Sequence, residues 1–208
     1  MRILIAPDAF KGSLSAAEAA AAMASGIAQA VPDAELVCHP LADGGEGTLE
    51  VLLPRLHGRR VSFRGADGTY CYGIGRDEDA QTVALIESAS LIGLTLPSMQ
   101  QYPVESRSSA ALGETISHAL AQGIRHFVIG LGGTATNDGG IGMLSALGMR
   151  CMDTVGGQVP PALSGLMDVA AMDISGMDRH LFTSRFTVLS DVFNPLCGPD
   201  GGTIVFGP

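Results

Sequence analysis

The stretch that most constrains this chain is Gly130–Gly140, reading Gly-Leu-Gly-Gly-Thr-Ala-Thr-Asn-Asp-Gly-Gly. It follows the apolar run His126–Ile129, which reads as a buried strand, and precedes a helical stretch from Ile141 to Leu147. A strand feeding a glycine-rich loop that opens a helix belongs to an α/β fold, and it is an arrangement that binds phosphate. Glycine lets the backbone approach an anion, free N–H groups point at it, and the helix N-terminus adds partial positive charge. The plainer alternative is a tight turn with good helix caps, a routine use of Asn and Asp. Five glycines and four hydrogen-bonding side chains in one turn favour a site, with Gly132, Gly133, Thr134, Thr136, Asn137 and Asp138 as its candidate residues.

Strand–helix alternation recurs at both ends of the chain and predicts parallel βα units. Strands are expected at Arg2–Ala6, Glu35–His39, Arg60–Arg64, Tyr70–Gly75, Val83–Glu87, His126–Gly130, Met149–Met152, Val169–Ile174, Phe186–Asp191 and Thr203–Phe206. Helices are expected at Ala16–Ala30, Thr48–Leu56, Ala110–Gln122 and Gly139–Leu147, with a helical turn at Asp178–Leu181. Ser15 and Glu18 form a capping box for the first helix. Consecutive strands from Arg60 to Glu87 mark a change of architecture, with a boundary near Gly65–Gly68.

With 208 residues, 46% hydrophobic and 16% charged, the chain has the composition of a soluble globular protein that buries a sizeable core. Its net charge of -9 and lack of a Lys/Arg cluster argue against nucleic acid as a partner. An acidic protein handling phosphorylated ligands needs a divalent cation to screen them, so Mg²⁺ is expected. Cys38, Cys71, Cys151 and Cys197 are scattered without a CxxC pair, which suggests neither zinc nor disulfides and places the protein in the reducing cytoplasm. The first apolar run is too short for a signal peptide, and no window has the length of a membrane span.

Three more loops share the polar, turn-rich design. Pro7–Ser15 holds Asp8, Lys11 and Ser13 at a helix entrance; Lys11 suits a phosphate, although no Walker pattern is present, and the alternative is a surface lysine with a capping serine. Ala42–Thr48 sets Asp43 and Glu46 among three glycines, which suits Mg²⁺ ligation, hydroxyl binding or a plain acidic helix start. Asp191 opens the last loop at the end of a strand, where ligands bind in open α/β sheets; it reads as a general base, a metal ligand or a turn former before Asn194-Pro195. Ser106, Ser108 and Ser109 precede a helix and suit a carboxylate, whereas the segment Glu87–Leu94 is less decisive. The five histidines show no metal spacing and receive no role.

Taken together, these segments resemble the bacterial type I glycerate kinases. The matching stretches are APDAFKGSLSA (Ala6–Ala16), LADGGEGT (Leu41–Thr48), ESASLIGL (Glu87–Leu94), GLGGTATNDGGIGML (Gly130–Leu144) and SDVFNPLCGPDGG (Ser190–Gly202), ending in FGP (Phe206–Pro208), all in the family's order. The chain departs from the family's Ser-x-Gly-x-Gly-Glu loop at Ser109–Glu114. It also stops at FGP, where family members run on, so the resemblance implies an N-terminal portion that is inactive alone. The implied fold has two α/β domains. Residues 1–65 would begin a discontinuous flavodoxin- or Rossmann-like domain, and residues 66–208 would form most of an inserted second α/β domain. The implied reaction is transfer of the ATP γ-phosphoryl group to D-glycerate with Mg²⁺, with the 2-position favoured.

On that reading Asp8, Ser13, Ser109 and Gly132–Asp138 bind phosphate groups or the substrate, and Lys11 binds phosphate as a catalytic residue together with Asp43 and Asp191. Asp43 and Glu46 hold Mg²⁺ or the glycerate hydroxyls, and Asp191 is the base. The partners are small molecules, with no nucleic acid and no membrane, and self-association into a homo-oligomer is left open. A rival is a nicotinamide dinucleotide-binding oxidoreductase, since Gly130-x-Gly132-x-x-Ala135 fits GxGxxA and Asp153 lies at a suitable distance. A non-catalytic anion-binding module is a third reading. Four separate loops exceed what either rival needs.

Overall fold

The backbone is organised around a strand, β5 (Thr82–Glu87), whose residues from Val83 onward are all buried. A run buried on both faces must be central in its sheet. In a computed structural model, which describes residues 1–206, β5 is the middle of five strands. Its neighbours on one side are β4 (Thr69–Arg76) and the edge strand β3 (Arg59–Arg64), joined as an antiparallel meander. On the other side β6 (His126–Gly130) and β9 (Arg185–Leu189) run parallel to it. The sheet is therefore mixed, and the change of architecture expected between Arg60 and Glu87 falls within it. The class is α/β.

The two faces of β5 serve different neighbours, as the two-residue strand period requires. Ala84 and Ile86 join a large core with Ile116, Ala119 and Leu120 of α5 (Ala110–Ala121) and with Phe127. Leu85 packs instead with Leu49 and Leu53 around the short helix α2 (Thr48–Leu52). That helix lies close because Gly73 and Gly75 of β4 present no side chain. A Cβ on Gly73 would come within 2.8 Å of Leu49 and 2.6 Å of Leu53.

Ahead of the large sheet, β1 (Arg2–Ile5) and β2 (Glu35–Cys38) pair in parallel around α1 (Ala16–Ala30). The capping box forms as expected: Glu18 N–H donates to Ser15 Oγ, and Ser15 N–H donates to the Glu18 carboxylate. Short helices α3 (Ala89–Ile92) and α4 (Pro97–Gln100) follow β5, and α6 (Ile141–Ala146) packs on α5. A small antiparallel pair, β7 (Arg150–Met152) and β8 (Ala171–Asp173), flanks α7 (Leu163–Leu166). No helix among the described residues is long and apolar enough to cross a membrane.

Several expected elements change. Thr203–Phe206 belongs to a helix, α8 (Gly202–Phe206), not a strand. Its β-branched residues meet no strand edge, and Ile204 and Val205 N–H groups bond back to Gly201 O, so local helical bonding prevails. Gly207 and Pro208 of the FGP run lie outside the described residues. The helix expected over Thr48–Leu56 stops at Leu52, because Pro54 has no N–H to donate to Glu50. The strand expected through Asp191 ends at Leu189, and that over Val169–Ile174 shrinks to β8. The helix expected from Gly139 starts at Ile141, since Gly139 and Gly140 have φ of +60° and +81°.

Candidate functional site

The C-terminal ends of β5, β6 and β9 lie side by side, with Glu87, Gly130 and Leu189 in one row of the register. The Ala42–Thr48 loop lies across that row. Gly44 O accepts from Gly132 N–H at 3.0 Å, and Leu189 O accepts from Leu131 N–H at 3.0 Å. Approach this close demands bare backbone. A Cβ on Gly130 would sit 2.5 Å from Gly44 O, one on Gly132 would be 2.7 Å from Gly45 Cα, and one on Gly44, at φ +100°, would be 2.5 Å from Leu189 O. Gly130 and Gly132 thus act largely as packing glycines.

Glu87 ends the otherwise apolar β5 as a buried carboxylate. Its Oε2 accepts from Leu49 N–H at 2.7 Å, and Gly47 N–H also points at it. Burial pushes its pKa up, against the lowering effect of those two N–H groups; nearby Glu46 adds to the rise and Arg60 opposes it. Beside it Ser88 Oγ is fully buried with no hydrogen-bond partner among the described residues.

A cleft of about 350 Å³ opens between the Ala9–Ser15 turn, α2 and this strand end, and its polar lining includes Ser13, Glu46, Arg60, Glu87 and Ser90. Of the residues singled out in the sequence, Ser13 and Glu46 both line this cleft. Lys11 is exposed on the same turn, which is closed by Ser13 and Leu14 N–H groups donating to Phe10 O, but it does not line the cleft. Asp8 is exposed and accepts from Ala9 N–H at 2.6 Å. Asp43, exposed at the loop rim, accepts from Gly45 N–H at 2.9 Å. Asp191 is exposed in the coil two residues beyond β9.

Asp138 and Ser109 lie apart from that cleft, bonded to each other. Asp138 is 2% exposed; its Oδ2 accepts from Ser109 N–H, Ser109 Oγ–H and Gly142 N–H, and its Oδ1 from Gly140 N–H. Ser109 Oγ in turn accepts from Met143 N–H. The pair ties the starts of α5 and α6 together, which is the capping alternative considered for this turn. Asn137 accepts from Thr203 Oγ1 at 3.1 Å. By contrast the N–H groups of Gly133, Thr134, Thr136 and Asn137 make no hydrogen bond among the described residues. That stretch keeps donors free for an anion. Because α6 starts at Ile141, six residues after Ala135, the helix does not open within the GxGxxA motif as dinucleotide binding requires.

For Mg²⁺ the donors present are Asp43 and Glu46, both exposed on one loop, and no group of three or more His, Cys, Asp or Glu side chains converges among the described residues. One or two carboxylates completed by phosphate oxygens and water is a usual Mg²⁺ donor set, so the loop fits the ion.

A family model described as the glycerate kinase family matches residues 3–208. The chain belongs to the glycerate kinase family. It is 42% identical to the glycerate kinase of Bacillus subtilis (strain 168) and 40% identical to the glycerate 2-kinase of Escherichia coli (strain K12). Each match covers 100% of this chain and 55% of the relative, so the chain spans about half the length of these glycerate kinases. A solved structure of a candidate glycerate kinase 2 from Salmonella typhimurium LT2 is 44% identical, with a TM-score of 0.77, over 100% of this chain and 56% of that one.

Within this glycerate kinase-family chain, sequence reasoning passed over Glu87 and Arg60. Glu87 carried a readable signal, since a carboxylate closes an apolar run on the Leu85 face. Arg60 carried none, because only the register Arg60–Gly73–Leu85 places it beside α2.

Proposed function

We propose that a protein carrying this chain, together with the further length its relatives have, transfers the ATP γ-phosphoryl group to a hydroxyl of D-glycerate. What supports this reading is the meeting of the Ala42–Thr48 and Gly130–Asp138 loops at the C-terminal ends of parallel strands, with free N–H groups on one side and a polar cleft on the other. Such transfer needs little covalent chemistry from the protein and depends on positioning and charge stabilisation. The free Gly133, Thr134, Thr136 and Asn137 N–H groups, with Lys11, receive phosphate oxygens. Asp43 and Glu46 would hold Mg²⁺, which screens the phosphate charge when bound. Asp191, at the strand ends where the acceptor sits, takes the hydroxyl proton. The 2-hydroxyl is favoured, in line with the Escherichia coli relative being a glycerate 2-kinase.

The domain division is part of the same reading. The β1–α1–β2 unit begins a discontinuous Rossmann-like domain, and the five-stranded sheet is the centre of the second; β3, although it precedes residue 66, goes with the latter. A coupled ADP-release assay tests the reaction on the 208-residue chain and on the chain extended with the remaining portion of the Salmonella typhimurium protein. With Mg²⁺ the extended form should release ADP with D-glycerate well above L-glycerate or glycerol, and the 208-residue chain should not. Equal release with and without D-glycerate would overturn the substrate assignment.

A further inference from the structure

The cleft beside α2 has an unusual charge pattern. Three carboxylates line it, those of Glu46, Glu50 and Glu87, and Arg60 is its one cation among the described residues. Arg60 projects from the edge strand β3 in the row Arg60–Gly73–Leu85, on the face covered by Leu49 and Leu53. It is exposed, and its guanidinium makes no hydrogen bond or ion pair among the described residues. It lies near enough to Glu87 to oppose the rise in that residue's pKa. Arginines left unpaired beside a polar cleft are suited to carboxylates, which their planar fork binds through two parallel N–H donors.

The remaining lining completes the chemistry. A small monoanion with hydroxyl groups meets one guanidinium and several acceptors there. Glu87 Oε2 is fixed by Leu49 N–H, and Ser90 Oγ–H is already donated to Glu87 O, so both groups are held as acceptors for a ligand hydroxyl. Ser13 adds a hydroxyl with no side-chain partner among the described residues. Phe10, Leu14 and Leu49 supply the apolar wall. A volume of about 350 Å³ is small for a binding pocket.

We propose that this cleft is the subsite for a small hydroxy-carboxylate, with Arg60 binding its carboxylate and selecting the acid over the corresponding polyol. This rests on the glycerate reading for the identity of the acid, while the subsite itself stands on the cleft. The nucleotide phosphates, in turn, go to the free Gly133, Thr134, Thr136 and Asn137 N–H groups.

Isothermal titration of the 208-residue chain with D-glycerate, D-lactate and glycerol tests it. D-glycerate should bind at least about tenfold more tightly than glycerol, the scale of one charge-assisted pair. Arg60→Met should weaken D-glycerate by about tenfold or more and leave glycerol unchanged, with a melting curve matching the parent chain. Arg60→Lys, which keeps the charge and loses the fork, should fall between the two. An unchanged D-glycerate affinity in Arg60→Met overturns the subsite and leaves the glycerate reading standing. Binding of D-lactate but not D-glycerate, lost in Arg60→Met, supports the subsite and overturns the glycerate reading. No binding of any acid overturns the subsite, and ADP release then judges the reaction separately.

Discussion

Two glycine-rich acidic turns, Ala42–Thr48 and Asn137–Gly142, look alike in sequence and behave in opposite ways. In the first, Gly44 and Gly45 are buried and packed against the strand ends, while Asp43 and Glu46 face solvent. In the second, the acidic side chain itself is buried: Asp138 accepts four hydrogen bonds and organises the starts of two helices. One turn uses its backbone to build the fold and leaves its carboxylates for chemistry. The other uses its carboxylate to build the fold. Glycine content therefore marks a tight turn, and only the hydrogen-bond ledger tells which groups remain for a ligand.

The largest effect should come from the closed turn. Asp138→Ala leaves the Ser109, Gly140 and Gly142 N–H groups and the Ser109 hydroxyl without their acceptor in a buried place. Each stranded donor costs about 1–3 kcal/mol, so a total loss of about 3 kcal/mol or more is expected. For a chain of this size that lowers Tm by about 10 °C. A thermal melt followed by circular dichroism measures it. A Tm within about 2 °C of the parent would return Asp138 to the ligand-binding group and erase the contrast.

That contrast also shows what could be read in advance. The capped helix Ala16–Ala30 was legible to the residue, because its start signal is local: Ser15 and Glu18 answer each other across one turn. The strands of the large sheet were legible from their apolar runs. The helix at Gly202–Phe206 was not, because Thr203, Ile204 and Val205 favour strands, yet here they pair with no strand among the described residues and bond locally instead. Of the cleft's lining, Ser13 and Glu46 stand in turns whose polar composition singles them out in the sequence. The roles of Asp138, Glu87 and Arg60 depend on which strand lies beside which, and that pairing joins residues dozens of positions apart.

A smaller effect tests Glu87, which links the two behaviours: it is buried like Asp138, yet it lines the open cleft. Burial raises its pKa in the folded chain above the unfolded value near 4.5. Between those two values the folded state binds more protons than the unfolded state, so this group's contribution is full below pH 4.5 and is lost as pH rises through the folded value. Glu87→Gln is neutral at every pH and retains an acceptor for Leu49 N–H. The variant's Tm relative to the parent should therefore climb as pH rises above 4.5 through the raised folded value. Other carboxylates titrate in both proteins and cancel in the difference. A difference that stays flat with pH would mean that Glu87 is solvated like Asp43, not buried.

The smallest effect on stability should come from the open turn, and its smallness is the point. Glu46 makes no hydrogen bond among the described residues, and Asp43 accepts only from Gly45 N–H two residues on. Surface changes of this kind shift stability by about 0.5 kcal/mol or less, so Asp43→Asn and Glu46→Gln should melt almost with the parent. In the extended protein the same two changes should instead raise the Mg²⁺ concentration needed for half-maximal ADP release, because they remove charge from the loop proposed to hold the ion. Asn keeps an acceptor for Gly45 N–H, so the turn itself survives and the two readouts separate. If Asp43→Asn lowers Tm as far as Asp138→Ala does, the first turn is a structural device like the second. Unchanged Mg²⁺ dependence in both variants would take Asp43 and Glu46 off the metal and leave Glu46, which lines the cleft, as an acceptor for a substrate hydroxyl.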